Sequence, residues 1–219
     1  MMMFPYHFII ELIGVLLSAI FFFQKSEYSY LKYFSPFLLL SLGVEMLGWN
    51  LRAQRINTLF LYNFFTAFEF VFYLWVIRKV IQSAVIKKAL YYILFIYPFL
   101  AIINIVFIQK INHFHTLTYA IGCLLIIFFC IYYFFELFRV QHSIRLSSEP
   151  AFWICSALLF FYSCTFPLFV ATNLLLNIPD VISRNASFIL TLLNVLLYSL
   201  FIIAFLCKIK TRKLSSSLQ

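Results

Sequence analysis

The sequence predicts an all-α, polytopic membrane protein: a seven-transmembrane-helix bundle with the N-terminus outside and the C-terminus cytoplasmic. Three observations predict it. The chain is 65% hydrophobic and only 11% charged, whereas soluble domains carry about a quarter charged residues. Its apolar residues gather in runs of about 20, the length that crosses a ~30 Å hydrocarbon core at ~1.5 Å per residue. Its basic residues are distributed unevenly between the connections on the two sides of those runs.

The first run, Phe4–Phe23, lacks a basic stretch before it and a small-residue cleavage site after it; Lys25 follows instead. It is expected to be a retained helix and not a signal peptide. The second, Phe34–Asn50, is the shortest and has Pro36 at its start, where a missing N–H costs nothing. The third, Asn57–Ile77, contains YNFFTAFEFVFY, in which Glu69 is the one carboxylate among aromatic rings. The fourth, Ala89–Ile108, carries an internal Pro98. The fifth, Leu117–Phe138, includes LLIIFFCIYYFF, apolar on every face and without the alternation a membrane β-strand requires. The sixth, Ala151–Leu176, starts after Pro150 and contains Pro167; the seventh is Ser187–Cys207. The internal prolines should kink the fourth and sixth helices. Residues 1–207 then form one transmembrane domain, and 208–219 a short basic and polar cytoplasmic tail that is expected to fray.

Of the 16 Lys and Arg, twelve fall on the side of the C-terminus. Arg52, Arg55, Lys110 and Arg184 fall on the other. That bias sets the orientation. It also accounts for the net charge of +9 without nucleic acid, since the bases of that charge are topology and attraction to anionic inner-leaflet lipid. The five cysteines all lie inside apolar runs and form no C-x-x-C pair, so they are expected to pack as small hydrophobes.

Residues three and four apart share a helix face. On that rule the polar residues form stripes: His7, Glu11, Gly14 and Ser18 on the first helix; Ser41, Glu45 and Trp49 on the second; Tyr62, Thr66, Glu69 and Tyr73 on the third, with Asn63 beside them. The fourth contributes Tyr97, Ala101 and Asn104, the sixth Trp153, Ser156 and Ser163, and the seventh Ser187, Thr191, Asn194 and Tyr198. Glu11, Glu45, Asn63, Asn104 and Asn194 lie within about 10 Å of the outer end of their helices, and Glu69 about 18 Å deep, near the midplane. Facing stripes would line an outward-open polar cleft for a small ligand or lipid, built from Glu11, Glu45, Tyr62, Asn63, Thr66, Glu69, Asn194 and Tyr198. An acid at a helix centre costs ~2.5–3.5 kcal/mol on insertion scales, and intramembrane acids usually face the bundle interior. Two readings of Glu69 stay open: a functional group, or an interhelical hydrogen bond to Tyr or Thr. Glu136, three residues before Arg139, is expected to be structural, snorkelling or pairing at the cytoplasmic end. Arg52 and Arg55 either rim the cleft and meet Glu45 or contact headgroups.

Several chemistries lack their residues. The seventh helix has no lysine for a retinal Schiff base, and neither a G-x-S-x-G elbow nor a phosphate-binding glycine loop occurs. No cofactor is expected. His7, His113 and His115, with Asp180 as a fourth ligand, are of the types that suit zinc, but two of them sit in a loop, and no metal is expected. With no soluble domain, any signal would leave through a second membrane protein.

LYNFFTAFEFVFYL, AFWICSALLFFYSC and LLNVLLYSLFIIAFLC together resemble a group of uncharacterised bacterial seven-helix membrane proteins. The resemblance implies a multi-pass protein of the bacterial inner membrane and a recurring role for Tyr62, Asn63, Glu69, Trp153, Asn194 and Tyr198. It implies no activity. The expected function is sensory, binding or accessory to another membrane protein. A small proton-coupled transporter with Glu69 as the coupling acid is the alternative, and an intramembrane enzyme comes third.

Overall fold

In lipid, a backbone must satisfy its own N–H and C=O groups, and long apolar runs with few glycines can do so only as helices. The computed structural model describes residues 7–23, 28–110, 113–139, 146–174 and 180–216, without the side chains of 7, 23, 172–174, 180–184 and 210–216. These form α1 (His7–Phe23), α2 (Leu31–Ala53), α3 (Leu59–Val80), α4 (Ala84–Ile103), α5 (Thr116–Arg139), α6 (Pro150–Leu174) and α7 (Asp180–Ser216). A π-helical turn, Asn104–Ile108, prolongs α4, and a 3-10 turn, Leu146–Ser148, leads into α6. α2 to α7 are each long and apolar enough to cross a membrane; α1 offers a shorter apolar stretch, Phe8–Phe22. Their outward faces are also apolar: Phe60, Phe64 and Phe68 form an exposed row on α3, and Phe95, Phe99 and Ile102 another on α4. Such rows suit lipid and not water. The chain is a multi-pass helical membrane protein.

Two boundaries differ from the sequence expectation. α2 starts at Leu31, so Pro36 lies inside it and not at its start. The turn Tyr28–Tyr30 seeds the helix early, with Leu31 N–H donating to Tyr28 O and Tyr33 N–H to Tyr30 O, both at 3.1 Å. α7 begins before the last apolar run and continues through the basic tail to Ser216, because Lys, Arg and Leu are good helix formers. Pro98 and Pro167 lie inside α4 and α6, and both helices continue past them.

α1 packs between α2 and α7, α6 between α5 and α7, and α4 lies at the margin against α3 and α5. α3 runs through the middle. Phe72 stacks on Phe37 of α2 at 3.9 Å, Phe70 meets Tyr162 of α6 at 5.1 Å, and Tyr73 meets Phe201 of α7 at 6.2 Å between centroids. Apolar side chains gain little from leaving lipid, so this close packing is what holds the helices. Gly122 of α5 permits the tightest approach: a Cβ there would sit 2.8 Å from three ring carbons of Phe70.

At the end of the bundle where α7 finishes, Glu136 of α5 accepts hydrogen bonds from the backbone N–H groups of Gln82 (2.8 Å) and Ser83 (2.9 Å). The expected pairing with Arg139 is not seen among the described residues; the Arg139 guanidinium lies 5.9 Å over the Phe135 ring. Glu136 therefore fastens the turn between α3 and α4 to α5.

Candidate functional site

Of the eight predicted cleft residues, Glu11, Glu45, Glu69 and Tyr198 fall in one polar cluster and Asn63 and Thr66 in another on a different side of α3, while the side chains of Tyr62 and Asn194 belong to neither. Asn63 and Glu69 are six residues apart, which at 3.6 residues per turn turns them about 120° from one another.

The first cluster is acidic. Glu11 of α1 has no accessible surface. It lies within electrostatic reach of Glu45 of α2 and Glu69 of α3, and beside Ser41 and Tyr198. Ser41 Oγ and Tyr198 OH are 3.1 Å apart, and Tyr198 OH donates to Glu45 Oε1 at 3.3 Å. With the one phenolic proton used on Glu45, Ser41 donates to Tyr198. Neither oxygen of Glu11 completes a hydrogen bond, so proximity to Ser41 and Tyr198 does not satisfy it. Tyr73, one turn beyond Glu69, brings its hydroxyl to the Glu69 carboxyl. Tyr162 of α6 has Glu69 and Tyr73 as neighbours; its own hydroxyl is buried and unpartnered. Glu45 and Glu69 keep accessible surface.

Tyr62 stands towards the end of the bundle where α1 begins. Its hydroxyl packs against Gly48 of α2, where a Cβ would collide with it. The Arg52 guanidinium lies 4.9 Å over its ring and donates through Nε to Thr58 Oγ1 at 3.4 Å. Arg52 is thus placed on Tyr62. Arg55 ends α2 in a left-handed turn at φ 59°, with Ile56 N–H closing on Leu51 O at 2.9 Å. Asn194, one turn before Tyr198, is half-buried, and no hydrogen bond to it is present among the described residues.

The second cluster surrounds His115, which precedes α5 and points inward without accessible surface. Thr66 Oγ1 donates to Tyr62 O at 2.7 Å, so His115 Nε2, 2.6 Å away, carries the proton and donates to Thr66. Nδ1 is then the acceptor for Thr118 Oγ1 at 2.8 Å. Thr118 Oγ1 in turn accepts from Asn104 Nδ2 at 3.0 Å, and Asn104 also donates to Gln109 Oε1 at 2.7 Å. Asn63 closes the network from α3, donating to His113 O at 2.8 Å and accepting from His115 N–H at 3.3 Å. Burial pushes the His115 pKa down from 6.5 to about 4, which agrees with a neutral ring bonded at both nitrogens. The π-helical turn is what places Asn104 and Gln109 here; Gln109 N–H closes it on Asn104 O at 2.8 Å. Over this network lies a surface depression of about 270 Å³ lined by Gln109, His113, Phe114 and Thr116.

His113 is exposed while His115 is buried with both ring nitrogens engaged, so the two do not converge on one ion. The side chains of His7 and Asp180 lie outside the described residues. Among the described residues no three His, Cys, Asp or Glu side chains are placed to hold one metal ion. Periodicity pointed to Glu11, Ser41, Glu45, Glu69 and Tyr198 but missed Tyr162 and the inward turn of His115. The signal for His115 was available in HFHTLT, where a histidine lies three residues before a threonine on an incoming helix. No family model, curated protein or solved structure matches the chain.

Proposed function

We propose that the protein is a membrane-embedded binding protein, sensory or accessory to a second membrane protein, whose ligand site is the crevice between α1, α2, α3 and α7. The single observation that carries this reading is the placement of Glu11, Glu45 and Glu69, from three helices, within electrostatic reach of one another, with Glu45 and Glu69 keeping accessible surface. A carboxyl in lipid gains nothing, so three that face inward together mark a polar site. The orientation follows the basic residues, with the Arg52 end outside and the C-terminal tail in the cytoplasm of a bacterium, whose inner membrane holds the protein. In that orientation the crevice opens outward and the basic cytoplasmic face is where a partner reads its state.

The test is purification from native membranes in mild detergent, wild type beside Glu69→Gln, with mass spectrometry of the co-purified proteins and small molecules. A partner or small molecule lost only from a well-folded Glu69→Gln supports the reading. The same catch from both proteins overturns it. A second reading, proton-coupled transport, draws on the mutual electrostatic reach of Glu11, Glu45 and Glu69, which would let a proton pass between them. It requires uptake that collapses with the proton gradient and is abolished in Glu69→Gln.

A further inference from the structure

Apart from the acidic cluster, the chain carries a basic one at the end of the bundle where α7 finishes. We infer that Arg78, Lys87 and Lys88, at the turn between α3 and α4, seat the headgroup of one anionic phospholipid whose acyl chain lies along the exposed face of α4.

Three features converge on that occupant. The first is where the cations stand. The Arg78 guanidinium lies 5.5 Å over the ring of Tyr91, and its Nε donates to Lys87 O at 3.1 Å. Lys87 and Lys88 precede Tyr91 by four and three residues and so share its helix face. Helical side chains tilt toward the N-terminus, which leads both ammonium groups to the membrane surface where α4 begins. The second is uncompensated charge. Glu136 is the carboxylate bonded to this turn, and its two oxygens are taken by the backbone N–H groups of Gln82 and Ser83. Among the described residues none of the three cations has a carboxylate partner. Lys87 also closes the first turn of α4, where the positive end of the helix dipole disfavours a cation. A phosphate group relieves both repulsions, whereas a zwitterionic headgroup brings an ammonium of its own. The third is the row that continues from the cations. Tyr91, Phe95, Phe99 and Ile102, at steps of four, four and three, are all exposed on a helix at the margin of the bundle. The row runs about 16 Å, close to the ~15 Å of one leaflet in a core of ~30 Å. An acyl chain covers that length; a free phosphate or an acidic peptide leaves it bare.

Thermal unfolding of the purified protein in nonionic detergent tests this, with dioleoyl phosphatidylglycerol, dioleoyl phosphatidylcholine, glycerol 1-phosphate and oligoglutamate as probes. The expected result is saturable stabilisation by phosphatidylglycerol alone. Its apparent affinity should be about tenfold weaker in Arg78→Gln, as for loss of one charge-assisted contact, and several-fold weaker in Lys88→Gln. Lys88 is exposed, so its variant folds as wild type and carries the test if Arg78→Gln, which also loses the bond to Lys87 O, is misfolded. Lys208→Gln removes a cation from the same end of the bundle, where Lys208 lies 4.4 Å over the Tyr28 ring, and should bind as wild type. Equal weakening in Lys208→Gln overturns the site and leaves only the diffuse attraction of a basic surface. Matching stabilisation by phosphatidylcholine overturns the anionic class. Matching stabilisation by glycerol 1-phosphate overturns the lipid, since the headgroup alone then suffices, and by oligoglutamate overturns it in favour of an acidic protein segment. No shift from phosphatidylglycerol overturns the proposal outright.

Discussion

His115 Nε2 lies 2.6 Å from Thr66 Oγ1, and this contact locks the connection between α4 and α5 onto the middle of the bundle. The opposite ring nitrogen must accept from Thr118, so the network closes only around a neutral imidazole. The folded pKa is lowered from 6.5 to about 4 by burial. The unfolded chain therefore binds a proton first as pH falls, and stability is lost between pH 6.5 and about 4, being complete above that window. The full loss is roughly 3 kcal/mol. Thermal unfolding at pH 7.5 and pH 5 should show a larger drop for wild type than for His115→Gln, which removes the titrating group. Equal drops would mean that the carboxyls alone set the acid sensitivity.

Glu136 accepts two backbone N–H groups from residues 82 and 83, a role that a single amide oxygen cannot reproduce. Glu136→Gln should lose about 1 kcal/mol and Glu136→Ala about 2 kcal/mol of stability, from the stranded donors. Hydrogen exchange should quicken at Gln82 and Ser83 specifically. Unchanged protection at those two amides would show that water replaces the carboxylate at no cost.

The helical membrane character of the chain was legible in the sequence because it rests on long apolar runs. Steps of three and four put Glu11, Glu45, Glu69 and Tyr198 each on the polar stripe of its own helix, and the structure brings these four within electrostatic reach of one another. Asn63 and Thr66 were assigned to the same cleft, yet the structure turns both to His115. That outcome depended on a loop folding inward, and no periodic signal describes a loop. The position of Pro36 was misjudged for a related reason: polar Lys32 and Tyr33 hid an extra turn of α2 that lies at the helix end. Glu136 was expected to snorkel or to pair with Arg139, but its partners are backbone amides of a turn, which no side-chain pattern reveals.

Gly122 faces the ring of Phe70, which also contacts Tyr97, Tyr119 and Tyr162. Hemmed in on those sides, the ring cannot withdraw from an added methyl group. Gly122→Ala should destabilise by about 1–3 kcal/mol through overpacking. Phe70→Leu in the same chain should recover part of that loss, so the pair is non-additive. Full additivity in detergent unfolding would place the strain elsewhere.

Tyr198 carries the link between α7 and α2, since its hydroxyl meets both Ser41 and Glu45. Tyr198→Phe keeps the ring on Phe201, 6.4 Å between centroids, and removes only the hydroxyl. Interhelical hydrogen bonds in membrane proteins average about 0.6 kcal/mol and reach about 1.7 kcal/mol, so the two contacts together should be worth about 1–2 kcal/mol. Ser41→Ala alone should cost less, because Tyr198 retains Glu45 as its acceptor. In the Tyr198→Phe background Ser41→Ala should cost almost nothing, its partner having gone. Unfolding of the two single variants and the double variant measures that coupling directly. Additive losses would mean that the 3.1 Å contact between Ser41 and Tyr198 contributes no energy of its own, leaving the ring packing of Tyr198 to hold α7 in place.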